Sequence, residues 1–115
     1  MSHRSPSRIA GRRRAQAPVF GALGDETRLA LVARLSVGRP CSIAELTGGS
    51  RLTRQAITKH LRVLEGAGIV HSARSGREKR FAFDPQPLRE IQTYLELVSE
   101  QWDQTLARLK SFVED

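Results

Sequence analysis

Apolar and polar positions change rhythm several times along the 115-residue chain, and each change marks an element. Pro18–Leu23 opens an apolar segment. Asp25 is a favoured N-cap, and Leu31, Val32 and Leu35 then recur at the i, i+1, i+4 spacing of a helix over Glu26–Leu35, which Gly38-Arg39-Pro40 ends. Ser42–Leu46 reads as a short helix and Thr47-Gly48-Gly49-Ser50 as a turn. Thr53 caps a third helix, in which eleven helix-compatible residues precede Gly66 and Gly68. Ile69–Arg74 and Lys79–Asp84 then read as two strands around Ser75-Gly76-Arg77-Glu78. Phe81 and Phe83 alternate with Arg80 and Ala82, so one face of the second strand packs inward. Asp84-Pro85-Gln86-Pro87 is a stiff break, because closely spaced prolines forbid a continuing strand.

From Leu88 the rhythm becomes a heptad. Leu88, Leu95, Trp102 and Leu109 lie seven apart, as do Ile91, Val98, Thr105 and Phe112, and the stripe widens late onto Leu106 and Val113. The helix predicted from Leu88 to Val113 is roughly 39 Å long, more than a domain this small covers by itself. The pattern predicts a seam between two copies, with Trp102 buried near its middle and Leu88, Ile91, Leu95, Val98, Trp102 and Leu109 as interface residues. Packing within one chain is the alternative.

The third helix has the most specific layout. On a helical wheel Arg54, Gln55, Thr58, Lys59 and Arg62 share an arc of roughly 140°, with no carboxylate among them. Ala56, Ile57, His60, Leu61, Val63 and Leu64 fill the rest. A row of hydrogen-bond donors backed by a packing face suits a helix lying in the major groove of DNA. Taken alone, such a helix is also an ordinary amphipathic one. Its neighbours decide: a short helix and a Gly-containing turn before it make helix-turn-helix order. The hairpin after it carries Arg74, Arg77, Lys79 and Arg80 against the single acid Glu78, which is the composition of a wing.

On these segments the chain resembles the small bacterial winged-helix repressors of the arsenic-repressor (ArsR) family. The matching stretches are L-G-D-E-T-R-L-A-L-V at Leu23–Val32, S-I-A-E-L at Ser42–Leu46, the run Thr53–Val70, and G-R-E-K-R-F-A-F-D-P at Gly76–Pro85. The resemblance implies a mostly α fold with a β-hairpin wing, a winged helix-turn-helix with a long C-terminal dimerisation helix. The expected organisation is a disordered basic arm over residues 1–16, a DNA-binding domain over 17–86, and a dimerisation helix over 87–115. It also implies a bacterial cytoplasmic, nucleoid-associated homodimer that represses by occupying a promoter. Arg28 falls in the family's D-x-T-R motif and is read as structural, in an ion pair with Asp25 or Glu26.

Charge sharpens the picture. The formal net charge is +7, and it is segregated. Residues 1–14 hold five Arg and no acid, residues 51–80 hold eight bases against two acids, and residues 81–115 hold three bases against seven acids. A polyanion therefore meets one side of the molecule. The Ser-, Arg-, Gly- and Pro-rich Met1–Gln16 is a disordered tail without a role, a basic arm on DNA phosphates, or an organellar leader. No apolar run approaches membrane-spanning length.

The family's metal-sensing members place a Cys-x-Cys pair where this chain has Ser42 and Ala44. The single cysteine, Cys41, lies beside those positions, and the C-terminal helix lacks the histidine of the family's other zinc site. One thiolate builds no soft-metal site alone, so neither metal nor cofactor is expected, although a redox role for Cys41 stays open. His60 sits in the apolar arc of the third helix, where a packed or hydrogen-bonded core histidine is the simplest reading; His3 and His71 are the others. The residues name no effector. No Gly-rich phosphate loop or nucleophile–base set points to an enzyme.

Double-stranded DNA is the expected partner. Arg54, Gln55 and Thr58, nearest the helix N-terminus, are the candidates for base edges; Lys59 and Arg62 suit phosphates, and Thr53 brings a hydroxyl or amide to a phosphate. Arg77 at the wing tip suits the minor groove, with Arg74 and Lys79 beside it. A two-fold dimer with two such helices implies an inverted-repeat operator. The rival readings are a non-specific, nucleoid-type nucleic-acid-binding protein and a protein-binding adaptor. The first wants aromatic stacking platforms on the basic face, and the aromatic residues here fall in packing positions instead.

Overall fold

A computed structural model describes residues 4–114. Its elements run α1 (Arg4–Leu23), α2 (Glu26–Ser36), β1 (Cys41–Ser42), α3 (Ile43–Thr47), α4 (Arg54–Gly66), β2 (Val70–Ser75), β3 (Glu78–Phe83) and α5 (Gln86–Glu114). This is a mostly helical winged helix-turn-helix with a long C-terminal helix, as the patterning predicts.

Local chemistry sets most boundaries. Asp25 caps α2 by accepting from the Arg28 backbone N–H at 3.0 Å. Ser42 and Glu45 form a capping box at α3: the Ser42 hydroxyl accepts from the Glu45 N–H, and the Glu45 carboxylate accepts from the Ser42 N–H, both at 3.1 Å. Thr53 caps α4 through Ala56. Helix α4 ends in a Schellman motif, with the Gly68 N–H bonded to the Glu65 carbonyl and the Ile69 N–H to the Leu64 carbonyl. Gly68 takes φ +76° there, which a side chain resists, so Gly68 rather than Gly66 terminates the helix.

The core lies where α2, α3, α4 and the sheet meet. Ile57, Leu61 and Leu64 form the inner stripe of α4 and are almost wholly buried, with Leu31 and Leu35 from α2, Leu46 from α3, and Ile69, Val70 and Phe81 from the hairpin. Val63, assigned to the packing arc, is 44% exposed because it borders the polar arc. Strand β3 is central in the antiparallel order β1-β3-β2, and Phe81 stands opposite Ser72 on one side and Cys41 on the other. Strand β1 has no signal in the sequence. Two residues cannot show alternation, and they become a strand only through pairing with Arg80 and Phe81.

Two expectations are corrected, and one boundary meets a helix. Helix α1 runs from Arg4 through the arm expected over residues 1–16, whose first three residues lie outside the described range. Ala10, Ala15, Gln16 and the run Arg12–Arg14 are good helix formers, and Gln16, Val19 and Ala22 are buried, so the boundary at 16/17 falls inside a helix. Helix α5 begins at Gln86 rather than Leu88, because Asp84 accepts from the Gln86 N–H at 2.9 Å and the prolines sit at the helix start, where no intrahelical donor is needed. Arg28 makes no side-chain ion pair with Asp25 or Glu26 among the described residues. Its guanidinium donates to the Ala22 carbonyl at 2.6 Å and to His60 Nδ1 at 3.2 Å. The same His60 Nδ1 lies 3.7 Å from the Asp25 carboxylate, so Arg28, His60 and Asp25 meet at the start of α2.

Helix α1 lies beside the first half of α5, running the same way. Phe20 meets Tyr94 edge-on with ring centroids 6.1 Å apart, and one helical turn earlier the Gln16 amide reaches Glu90. This pairing buries Val98, and Ile91 joins the main core with Leu88 packed against it. Three of the six predicted interface residues thus serve their own chain. Leu95, Trp102 and Leu109 do not, and Trp102 is 52% exposed rather than covered. Beyond Val98 every described residue of α5 is exposed.

Candidate nucleic-acid interface

Helix α4 exposes one side because its other side is committed to the core. Ile57, Leu61 and Leu64 point inward, which turns Arg54, Gln55, Thr58, Lys59 and Arg62 outward together. These five line a single groove of about 470 Å3 whose remaining wall is Ile43 of α3. No carboxylate lines it. The groove is long, open and cationic, which suits a duplex backbone and groove edge better than a small molecule.

A second, smaller cleft adjoins it. About 210 Å3 in volume, it runs from Arg54 and Ile43 to Arg77, Glu78 and Lys79 on the hairpin. Arg54 and Ile43 border both spaces, so recognition helix and wing present one continuous surface. The wing tip is a two-residue Gly76-Arg77 loop closed by the Ser75–Glu78 pair. Gly76 takes φ +66° and Arg77 does not take a positive φ, the pattern of a II′ turn matched to strand twist.

The predicted site residues divide in detail. Arg54, Gln55, Lys59 and Arg62 are on the groove without side-chain partners among the described hydrogen bonds and ion pairs. The Thr58 hydroxyl donates to the Arg54 carbonyl at 2.7 Å, so it meets a ligand as an acceptor or through its methyl. The Thr53 oxygen is occupied by its cap bond, leaving its proton to donate. Arg77 and Lys79 line the second cleft, with the Lys79 ammonium 5.7 Å from the centre of the Phe81 ring. Arg74 does not line that cleft, but it is the cross-strand partner of Lys79 and so shares its face of the hairpin; it also borders a hollow beside His71 and Pro40.

Arg80, one of the basic residues of the wing, is held in ion pairs. Its guanidinium bonds Glu45 of α3 and Glu78 of its own strand, each at 3.0 Å. The Ser42 backbone N–H chiefly, then the Ser42 hydroxyl and Arg80, hold the Glu45 carboxyl below its usual range. No sequence spacing signals this bridge, because its partners are 35 residues apart.

Cys41 is half-buried and single, its thiol directed at the Arg39 carbonyl. Among the described residues no three His, Cys, Asp or Glu side chains gather as metal ligands, and no helix is long and apolar enough to cross a membrane.

A helix-turn-helix whose second helix offers an acid-free row of donors, extended by a basic β-hairpin, defines a winged-helix DNA-binding protein. Comparison with known proteins narrows the class. A Helix-turn-helix domain family matches residues 23–73. The HTH-type transcriptional regulator YuzN of Bacillus subtilis (strain 168), itself uncharacterised, is 40% identical over 79 residues, spanning 64% of this chain and 86% of that protein. The HTH-type transcriptional regulator Rv2034 of Mycobacterium tuberculosis is 33% identical over 95 residues, 83% of this chain and 78% of its own. An ArsR-like transcriptional regulator from Rhodococcus sp. RHA1 superposes with a TM-score of 0.74 at 35% identity, covering 89% of this chain and 95% of that one. The chain belongs to the ArsR-like family of helix-turn-helix transcriptional regulators.

Proposed function

We propose that this regulator is a homodimeric repressor that reads an inverted-repeat operator. The observation that carries the reading is the acid-free groove along α4, continuous with the cleft under the wing. Arg54 and Gln55 read base edges, since Arg can bridge guanine O6 and N7 and Gln can pair with adenine N6 and N7. Lys59 and Arg62 contact phosphates, and Thr53 donates to one at the helix start. Arg77 enters the minor groove, with Lys79 lining the same cleft beside it. Arg74, paired across the hairpin with Lys79, stays in this basic set.

Two copies are needed to meet successive major grooves about 34–36 Å apart. The free apolar side chains of α5, namely Leu95, Trp102, Leu106, Leu109, Phe112 and Val113, support a seam of two chains. Leu88, Ile91 and Val98 pack within their own chain and so contribute less to that seam. Likeness to the arsenic-repressor family supports repression by promoter occupancy on DNA in the cytoplasm.

Selection of bound duplexes from a random pool tests specificity, symmetry and spacing together. The expected product is a palindrome with half-sites one helical turn apart. A pool that stays random while the protein binds bulk DNA equally well replaces this reading with a non-specific coating protein.

A further inference from the structure

The wing beyond Arg80 is a ribbon of two strands only. Strand β1 covers β3 at Arg80 and Phe81 and nowhere further out, and residues 73–79 are all exposed. A two-stranded ribbon has little stability of its own, so its direction must be set at its base. At that base stands Arg80, opposite Ser42 of β1. Its Nη1 reaches Glu45 Oε1 at 3.0 Å and its Nη2 reaches Glu78 Oε2 at 3.0 Å. The same Glu45 oxygen accepts the Ser42 N–H in the α3 capping box. One carboxylate therefore fastens both the start of the helix-turn-helix and the root of the wing. Helix α3 also holds α2, since Arg34 donates to the Glu45 carbonyl at 2.7 Å.

We propose that Arg80 is a positioning residue for DNA recognition: its bridge between Glu45 and Glu78 sets the width of the cleft between wing and recognition helix. That cleft carries Arg54 on one wall and Arg77 and Lys79 on the other, and a single phosphodiester strand is the polyanion that fits between such walls. The bridge has a second consequence. Glu78 is the one carboxylate lining the cleft, and Arg80, shared with Glu45, offsets part of its charge and holds it back toward the root of the wing. The inference deepens the DNA-reading proposal and rests on it for its functional half.

Two measurements on the full chain test it, one without DNA. With Cys41→Ser removing the native thiol, nitroxide labels at Ala33→Cys on α2 and Ser75→Cys on the wing report their separation by electron–electron resonance. Arg80→Ala should broaden that distance distribution, Arg80→Lys should partly restore it, and Glu45→Gln, which keeps the capping box but removes the charge, should broaden it less. Unchanged distributions in Arg80→Ala and Glu45→Gln overturn the proposal. Hydroxyl-radical footprinting on the selected operator supplies the second readout. Arg80→Ala should lose protection on the wing flank while base preference along α4 persists, and the salt slope should fall by about two units per protomer for the two disengaged wing cations. A uniform loss of protection across the site marks Arg80 as merely structural and also overturns it. Wild-type protein that footprints no selected duplex defeats the DNA reading itself, while the label distances still decide what the bridge does.

Discussion

Helix α4 and the outer half of α5 are both written with one apolar and one charged side, yet the fold treats them oppositely. In α4 the apolar side is consumed: Ile57, Leu61 and Leu64 are sealed under α2, α3 and the hairpin, and what is left over is a row of donors. In α5 beyond Val98 every described residue is exposed, and what is left over is a hydrophobic stripe. The surplus face is where each helix meets something else. For α4 that surface is cationic and free of acids; for α5 it is apolar and flanked by Glu96, Glu100 and Asp103, which repel phosphate. Similar patterns thus serve different partners, and the contrast lies in which side the monomer uses.

The strongest attack on this contrast is at the core side of α4. Leu61→Ala, at a position with no exposure, should cost about 2–5 kcal/mol of unfolding free energy, read by urea denaturation. A loss no larger than that of an exposed leucine such as Leu109 removes the distinction. On α5 the expectation inverts. Trp102→Glu should leave the fold intact, because Trp102 is outside the core, and should turn a dimer into a monomer by light scattering. Losing the linked second half-site should lower operator affinity on the order of a hundredfold. A Trp102→Glu protein that is still dimeric sinks the seam.

Smaller effects sharpen the division within α4. Gln55→Ala should cost about 1–3 kcal/mol at one base position and relax preference there. Lys59→Ala should weaken all sequences alike and reduce the salt slope by about one unit. Identical behaviour of the two across operator variants means that the groove does not separate reading from charge.

Acid should probe the joints rather than the faces. The Arg28 N–H holds the Asp25 carboxyl below its usual range, and the Gln86 N–H and then His71 do the same for Asp84. Groups whose pKa falls on folding add stability that is complete above the unfolded carboxylate range near about pH 4 and drains as pH falls through the lowered values. The urea midpoint should therefore drop on acidification below that range, and Asp84→Asn should flatten the drop. A variant as acid-sensitive as wild type refutes the assignment for Asp84.

The order of elements, the caps at Asp25 and Thr53, the winged helix-turn-helix and the donor row of α4 were all legible in the residues. These depend on interactions within a few positions or on helical periodicity, which a linear sequence displays directly. At the N-terminus composition shows a basic stretch rich in Ser, Pro and Gly, and it does not show that α5 packs against its helix-forming residues. Periodicity also ran past its meaning in α5. A heptad states which residues share a stripe, and it does not state whose surface covers them. Only the packing of α1 assigns Ile91 and Val98 inward and leaves Trp102 and Leu109 out. The same holds for strand β1, for Arg28 turning from Asp25 to Ala22 and His60, and for Arg80 bridging Glu45 and Glu78. Each depends on partners brought together from distant parts of the chain. Sequence determines what a segment offers, and the tertiary structure decides which offer is taken up, because burial and ion pairing are settled by proximity in space.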